Sequence, residues 1–342
     1  MTTVRLFRSW STTFSKHVVL FLTLTVSSLA VAQAVPTIGA GSTDETSTAK
    51  VPYRGTAVSY GQSMSVYNYT EPERVWTQRL GLTPEWHFND ALAVRSRLYL
   101  TQELTQGTTT TPHEVELSDL WLDGVWSGWK ETYSGIKVGA DLRTTFPTSK
   151  QSRAATRLFT LGPGANLSRT FSVLSGLTLV YSARFTWRFN RFSTRQNQGG
   201  LITNCGVGNP EACTDTETGA NNVQYDVLHG PTVIFNPHKR VNISASLFMQ
   251  RGWLLPHAAG EVRGVPYDAT PSQTKDFIGF SLGVTYQPMD VVSFTLGAFT
   301  FANQLTSEGT LIVPLFNRNT SASLDATFDL EAIVSSITKE KQ

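Results

Sequence analysis

Residues 177–190 read LTLVYSARFTWRFN, and their side chains alternate between two chemical types at almost every step. Successive residues of a β-strand point to opposite faces, so this stretch predicts a strand with one face towards lipid and the other towards water. Similar stretches recur from about residue 55 to residue 334. The two faces of residues 177–190 are Leu177, Leu179, Tyr181, Ala183, Phe185, Trp187 and Phe189 on one side, and Thr178, Ser182, Arg184, Thr186 and Arg188 on the other.

The connections between these stretches alternate short and long. Residues 172–176 and 236–240 form tight turns, whereas residues 191–221 and 254–276 form long, polar or Gly/Pro-rich loops. Outer-membrane barrels keep short periplasmic turns and long external loops, whereas the loops of a soluble β-sandwich need not alternate. The sequence therefore predicts an all-β fold, a transmembrane antiparallel up-and-down β-barrel of about 12 strands, in residues 55–334. A soluble sandwich is the alternative.

The two ends of the chain differ from the repeating region. Arg5, Arg8 and Lys16 precede an apolar run that ends in Ala32-Gln33-Ala34, so residues 1–34 are predicted to be a secretory signal peptide. The run is shorter than the roughly 20 residues that a transmembrane helix needs. Residues 35–54 are predicted to be a periplasmic linker and residues 335–342 a periplasmic tail. The expected location is the outer membrane of a Gram-negative bacterium.

Composition limits the partners. Charged residues make up 16% of the chain, against about 25% in soluble domains, which suits a protein with one face in lipid. No basic stripe indicates a nucleic-acid partner. Outer-membrane lipid and a small-molecule solute are the expected partners, and the sequence does not define an oligomeric state. Cys205 and Cys213 share one loop and are expected to form a disulfide after export, with two free thiols as the alternative.

Charged residues on the polar faces are the candidate functional residues. As a selectivity lining, they would place Arg184 and Arg188 opposite carboxylates such as Asp325 and Asp329 across a wet lumen. Alternatively, they pair with one another and only fill the interior, which we consider the default for any single residue. The facing of the fourth and sixth strands is ambiguous. The predicted pore-lining set is Arg79, Glu85, His87, Arg95, Arg97, Glu103, Asp141, Arg143, Arg184, Arg188, Asp226, Asp325, Asp329 and Glu331.

Aromatic residues near the predicted strand ends form two candidate girdles at the headgroup level of the membrane. The periplasmic girdle is predicted to contain Trp86, Phe88, Trp126, Trp129 and Tyr286. The external girdle is predicted to contain Trp76, Trp187, Phe189, Trp253 and Phe301.

No motif in the sequence predicts catalysis. A Gly-x-Ser-x-Gly elbow, a His-Glu-x-x-His helix and metal-ligand spacing are all absent, so no enzyme activity, cofactor or metal is expected. His87 beside Glu85 is the best candidate for a general base, although a polar lining role is preferred. The expected function is a passive channel or uptake pore for small solutes. The alternatives are an outer-membrane lipid-modifying enzyme and a structural or surface-recognition barrel that uses its long loops, especially residues 191–221.

One stretch resembles a known family. Residues 135–149, GIKVGADLRTTFPTS, form a strand that ends in Pro-Thr-Ser before an external loop. This resembles bacterial outer-membrane barrels linked to the degradation of aromatic compounds through the phenol meta-pathway. The resemblance covers about fifteen residues and implies passive uptake of a small organic compound, with no catalytic residues to carry over.

Overall fold

The computed structural model describes residues 51–66, 75–105, 113–197, 216–256, 260–262, 265–267, 273–305, 309–317 and 319–339. The predicted signal peptide, most of the predicted linker and the Cys205–Cys213 pair lie outside these ranges. Within them, no helix is long and apolar enough to cross a membrane.

Twelve β-strands form the body of the molecule, and each spans a stretch of alternating polarity. They are β1 (Ala57–Ser65), β2 (Trp76–Thr83, continued after Pro84 by Glu85–His87), β3 (Leu92–Glu103), β4 (Leu120–Lys130), β5 (Lys137–Phe146), β6 (Arg157–Phe171), β7 (Leu177–Asn190), β8 (Val223–His238), β9 (Val241–Leu254), β10 (Thr274–Met289), β11 (Val292–Asn303) and β12 (Thr320–Asp329).

Shorter elements lie between and after these strands. Val115–Leu117 adds a short strand beside β3. Thr194–Asn197 pairs with Thr216–Asn221, and Gly260–Val262 pairs with Val265–Tyr267, as hairpins within long connections. The helices are α1 (Lys150–Ala154) and α2 (Leu330–Lys339).

The sheet closes on itself. Each strand pairs antiparallel with its neighbour in the chain, and β1 also pairs with β12 from Ala57↔Asp329 to Ser65↔Ser321. Closure leaves no free sheet edge, so every strand has hydrogen-bond partners on both sides. The predicted all-β, up-and-down, twelve-stranded barrel is confirmed.

The outer wall is apolar and aromatic. On β7, the outward side chains of Tyr181 and Trp187 are 48% and 47% exposed, as expected for a lipid-facing surface. Near the long-loop end, which we assign as extracellular, Phe189 stacks on Phe159 and on Trp187 with ring centroids 4.3 and 4.9 Å apart. Tyr225 packs beside Trp253 at 5.1 Å on the same wall. Such a cluster suits the headgroup level of a membrane.

Phe301 departs from the prediction. It pairs with Gly279, which pairs in turn with Phe248. Its strand neighbour Phe299 pairs with Ser321, which shares a face with the inward Asp325. Phe301 therefore faces the lumen and does not belong to the external girdle. Its position along the strand decides which face it occupies, whatever the polarity of its side chain.

The last strand ends earlier than expected. The predicted strand runs to Val334, but β12 ends at Asp329 and α2 follows. Asp329 Oδ1 accepts a hydrogen bond from the Ala332 amide at 3.0 Å, which caps the helix start. Leu330, Ile333, Val334 and Ile337 recur at helical spacing, which accounts for the change from strand to helix. The segment expected to be a tail from residue 335 continues this helix to Lys339.

Candidate functional site

The wall of the lumen formed by β2–β8, together with Asp325 on β12, carries a series of ion pairs, hereafter the ion-pair wall. The first pair joins Arg79 on β2 to Asp325 on β12, with Arg79 Nη2 to Asp325 Oδ1 at 3.0 Å. The strand between them, β1, presents Gly61 at the crossing. A Cβ atom at Gly61 would lie 1.8 Å from Asp325 Oδ1, so only glycine leaves room for the carboxylate.

A second pair crosses a strand in the same way. Arg184 on β7 lies 2.6 Å from Asp141 on β5, measured from Nη2 to Oδ2. The intervening strand β6 presents Gly164, where a Cβ would lie 2.7 Å from Asp141 Oδ1. The contact lacks hydrogen-bond alignment, and Arg184 Nη1 is buried without a hydrogen-bond partner. A glycine on the middle strand is therefore what allows residues two strands apart to meet.

The remaining ion pairs join adjacent strands or neighbouring residues. Asp123 accepts from both Nε and Nη2 of Arg143, at 2.6 and 2.9 Å, and is almost fully buried. Asp226 accepts from Arg188 Nε at 2.7 Å and from Gln250 Nε2 at 2.9 Å. These pairs place a carboxylate against Arg143 and Arg188, whereas Arg184 Nη1 stays unsatisfied.

Glu85 forms a separate cluster near the short-turn end. One oxygen accepts from Arg95 Nε at 2.5 Å, and the other lies 2.9 Å from His87 Nε2. Arg95 and His87 therefore share the Glu85 carboxylate, and each engages one of its oxygens.

The expected partners of the lumen arginines are wrong in detail. Arg184 and Arg188 pair with Asp141 and Asp226 rather than with Asp325 across the lumen. Asp329 caps α2 as the last strand residue. Glu331 is the clearest correction, because it lies on α2 and not on a barrel strand. Side-chain partners depend on strand register and on the glycine gaps, and polarity patterns define neither.

Two further predicted lining residues are Glu103 and Arg97. Glu103 is buried at the extracellular end of β3, where Thr105 Oγ1 donates to it at 2.9 Å. Arg97 is 8% exposed and has its guanidinium 6.0 Å from the centre of the Trp121 ring. Trp121 also stacks on Arg143, at 4.3 Å. One indole ring thus contacts two guanidinium groups.

The sequence does not predict several lumen residues, because it leaves the facing of the fourth and sixth strands ambiguous. Trp121 and Asp123 both point inwards from β4, paired with Arg97 and Arg95. The predicted strand at 115–126 is divided at Ser118-Asp119. Its pairing register with β3 changes by one residue across this break, so a single inward–outward alternation does not describe the whole stretch. On β6 the pairing shifts between Arg157 and Phe159, and Gly162 and Gly164 carry no polarity signal.

The opposite side of the lumen, formed by β9–β11, is aromatic and is hereafter the phenylalanine wall. Its members stack on one another: Phe277 lies 5.0 Å from Phe301, and Phe248 lies 6.0 Å from both Phe299 and Phe301. The Phe248 ring covers Gly279, where a Cβ would lie 2.1 Å from ring atoms. The lumen therefore has one charged, paired wall and one apolar wall.

The helix α1 packs at the extracellular mouth. Ser149 caps it by accepting from the Ser152 amide at 3.1 Å, and the Ser149 amide donates to Asp119 Oδ1 at 3.0 Å. The Ser152 hydroxyl donates to Asp119 and accepts from Arg157 Nη1. Ser152 is 3% exposed.

The Pro-Thr-Ser segment before α1 holds this connection in place. Thr148 Oγ1 donates to the Ser118 carbonyl at 2.6 Å and accepts from the Leu120 amide at 3.0 Å. The segment that carried the family resemblance therefore anchors a folded connection against the barrel.

The described residues contain no group of three or more His, Cys, Asp or Glu side chains arranged to hold a metal ion. Among the described residues, the lumen presents paired charges, cation–aromatic contacts at Arg79–Tyr99 and around Trp121, and an apolar wall.

Comparisons with known proteins address the fold. No protein-family model and no curated protein match the chain. Among solved structures it is similar to an outer membrane channel from Pseudomonas putida F1, with a TM-score of 0.50 and 10% identity over 84% of this chain and 99% of that chain. It is also similar to the NanC porin (TM-score 0.41, 10% identity, 80% of this chain and 100% of that chain). The protein has the fold of outer-membrane β-barrels, and identity this low addresses the fold alone.

Proposed function

We propose that the protein is a passive channel for small solutes in the outer membrane of a Gram-negative bacterium. The observation that carries this proposal is the lumen with two unlike walls inside a closed, lipid-facing barrel. An ion-pair wall offers hydrogen bonds and local charge, while the phenylalanine wall offers apolar contact. A solute with polar and apolar parts would find both kinds of surface, consistent with the small organic compound that the family resemblance implies.

The proposal includes no catalytic step. Glu85 is shared by His87 and Arg95, so the imidazole is engaged in a structural cluster. We therefore treat His87 as a lining residue, and His87→Ala is expected to leave the lipids of the surrounding membrane chemically unchanged. Deacylation of phospholipid or lipopolysaccharide that is lost in His87→Ala would favour the lipid-modifying alternative instead.

The test of the channel is conductance. Purified protein in planar bilayers should produce discrete current steps, whereas a barrel that stays silent at all voltages would contradict the proposal. Phe299→Ser should change the relative permeability of apolar and polar solutes of equal size, because it removes an aromatic ring from the lumen. Phe316→Ser is the matched control, since Phe316 is 58% exposed in a connection outside the barrel. Equal effects of the two variants would argue against a role for the phenylalanine wall.

A further inference from the structure

Arg97 is the one lumen arginine of the predicted set that has no carboxylate partner among the described residues. Arg79, Arg95, Arg143, Arg184 and Arg188 each contact an aspartate or glutamate within 3.0 Å. Arg97 is nevertheless 8% exposed. Burial of an unpaired guanidinium costs several kcal/mol, so such a group needs a counter-charge or hydrogen-bond acceptors.

The neighbours of Arg97 do not supply that counter-charge. Asp123 on the adjacent strand is the nearest acid in register, but both of its oxygens are occupied by Arg143. Trp121 offers its ring to Arg97, yet at 6.0 Å this contact is at the limit of a cation–aromatic interaction and is shared with Arg143. The positive charge of Arg97 is therefore only partly compensated.

A second unused donor belongs to the same wall. Arg184 reaches Asp141 with Nη2 only, and its Nη1 is buried without a hydrogen-bond partner. Arg184 and Arg97 lie within electrostatic range of each other, and Arg143 on β5, which shares Trp121 with Arg97, lies between their strands. The wall thus combines a partly compensated cation, Arg97, with a second guanidinium that has a buried, unsatisfied donor.

We propose that Arg97, with Arg184 as a second cation on the same wall, forms a binding subsite for the oxyanion group of a solute, either a carboxylate or a phosphate. A guanidinium presents parallel N–H donors that match two oxygens of such a group. Trp121 holds the Arg97 guanidinium on the lumen wall. This inference rests on the proposed channel function for its biological use, but binding can be measured without conduction.

The first test measures binding directly. The thermal unfolding midpoint of the detergent-solubilised protein is recorded with increasing acetate or inorganic phosphate against chloride at constant ionic strength. A ligand that binds only the folded state raises the midpoint. The native protein should show a saturable rise with at least one of the two oxyanions, which also distinguishes a carboxylate site from a phosphate site. Arg97→Gln should raise the half-saturating concentration about tenfold or more, because it removes charge-assisted hydrogen bonds.

Two further variants separate the subsite from general electrostatics. Arg97→Lys keeps the charge but loses the planar fork, and it should bind the oxyanion more weakly than the native protein. Arg251→Gln removes a cation from the outer wall, where Arg251 is 58% exposed, and should leave the binding curve unchanged. If Arg97→Gln does not give a folded barrel by heat-modifiable migration in gels, Arg184→Gln provides the test and should also weaken binding.

The second test measures permeation. In bilayers with a salt gradient, the native channel should favour acetate or phosphate over potassium, and Arg97→Gln should lose much of that preference. Silent bilayers with a saturable thermal shift would overturn the channel and leave the subsite standing. A conducting channel with no oxyanion-specific shift, or a shift unchanged in Arg97→Gln, would overturn the subsite and leave the channel standing.

Discussion

Removal of the Asp123 carboxylate tests how far water screens the charges of the ion-pair wall. Asp123 and Arg143 have side chains that are 3% and 12% exposed, and two hydrogen bonds of 2.6 and 2.9 Å join them. Loss of one partner from a buried pair strands the other charge and costs about 3–5 kcal/mol. Asp123→Ala should therefore lower the free energy of unfolding by about that amount.

A second pair provides the matched control. Asp276 binds Arg251 with nearly the same geometry, at 2.7 and 2.8 Å, but the side chains are 29% and 58% exposed. The Arg251–Asp276 pair lies near the extracellular ends of β9 and β10. An exposed pair contributes about 0–1 kcal/mol, so Asp276→Ala should cost under about 1 kcal/mol. The two variants remove the same carboxylate from the same kind of bidentate contact and differ chiefly in burial.

The assay is equilibrium unfolding in urea, with the barrel in phospholipid vesicles and tryptophan fluorescence as the signal. With a slope near 3 kcal/mol per M, Asp123→Ala should lower the midpoint by about 1 M or more. Adding Arg143→Met should recover part of the loss, because it removes the stranded cation. If Asp123→Ala and Asp276→Ala cost the same, lumen water must screen the Asp123 pair, and the reasoning from burial fails.

Three further predictions concern other parts of the barrel. Gly164→Ala should lower the free energy of unfolding by about 1–3 kcal/mol in the same urea assay, because its Cβ would lie 2.7 Å from Asp141 Oδ1. The Cβ of Gly124→Ala meets only a carbonyl oxygen at 3.9 Å, so this control should be nearly neutral. Equal losses in the two variants would contradict the crossing geometry. In a periplasmic turn, the Ser134 hydroxyl and the backbone amides of Tyr133 and Ser134 hold the pKa of Glu131 below its ordinary value of 4.5. The carboxylate therefore stabilises the fold above that value and loses this effect as the pH falls through its lowered pKa. The stability difference between the native protein and Glu131→Gln should be present at pH 7 and should close as the pH falls through that lowered pKa. A difference independent of pH would exclude this origin. Finally, Ser149→Ala removes the cap of α1, a local loss of about 0.5–2 kcal/mol, and should speed tryptic cleavage after Arg153 without changing global stability. The control is Ser175→Ala in a periplasmic turn, which should leave that cleavage rate unchanged. Unchanged cleavage in Ser149→Ala would show that the cap does not hold the helix.

The strands were predictable where alternation is uninterrupted. The boundaries of β7, Leu177–Asn190, agree with the sequence prediction, because every residue of that stretch reports its face through its polarity. The fourth predicted strand was not predictable in this way, because a break at Ser118-Asp119 divides it. The Ser118 hydroxyl there accepts from the Tyr99 amide at 2.9 Å, a local bond that polarity does not reveal.

The lumen was predictable in composition but not in pairing. Which residues are charged and inward-facing follows from parity, and Arg184 was assigned correctly to the polar face. Its contact with Asp141 depends on Gly164 in the strand between them, and nothing in the charge pattern indicates that crossing. The phenylalanine wall was not predictable for a different reason: apolar side chains on a barrel strand predict a lipid-facing position, although the lumen also accepts apolar side chains. The apolar residues of α2 recur at i, i+3, i+4 spacing, which predicts a helix. The prediction of a long final strand did not take this spacing into account.

The Arg79–Asp325 pair has a kinetic meaning as well as a structural one. Its two residues are 246 positions apart in the chain and lie on the strands that flank β1, so they meet only when β1 has joined β12. A contact formed that late contributes little to the rate at which the barrel assembles and acts mainly against its opening. Asp325→Asn should accordingly accelerate unfolding while insertion into vesicles proceeds at the native rate, so that the pair acts as a latch on the finished cylinder.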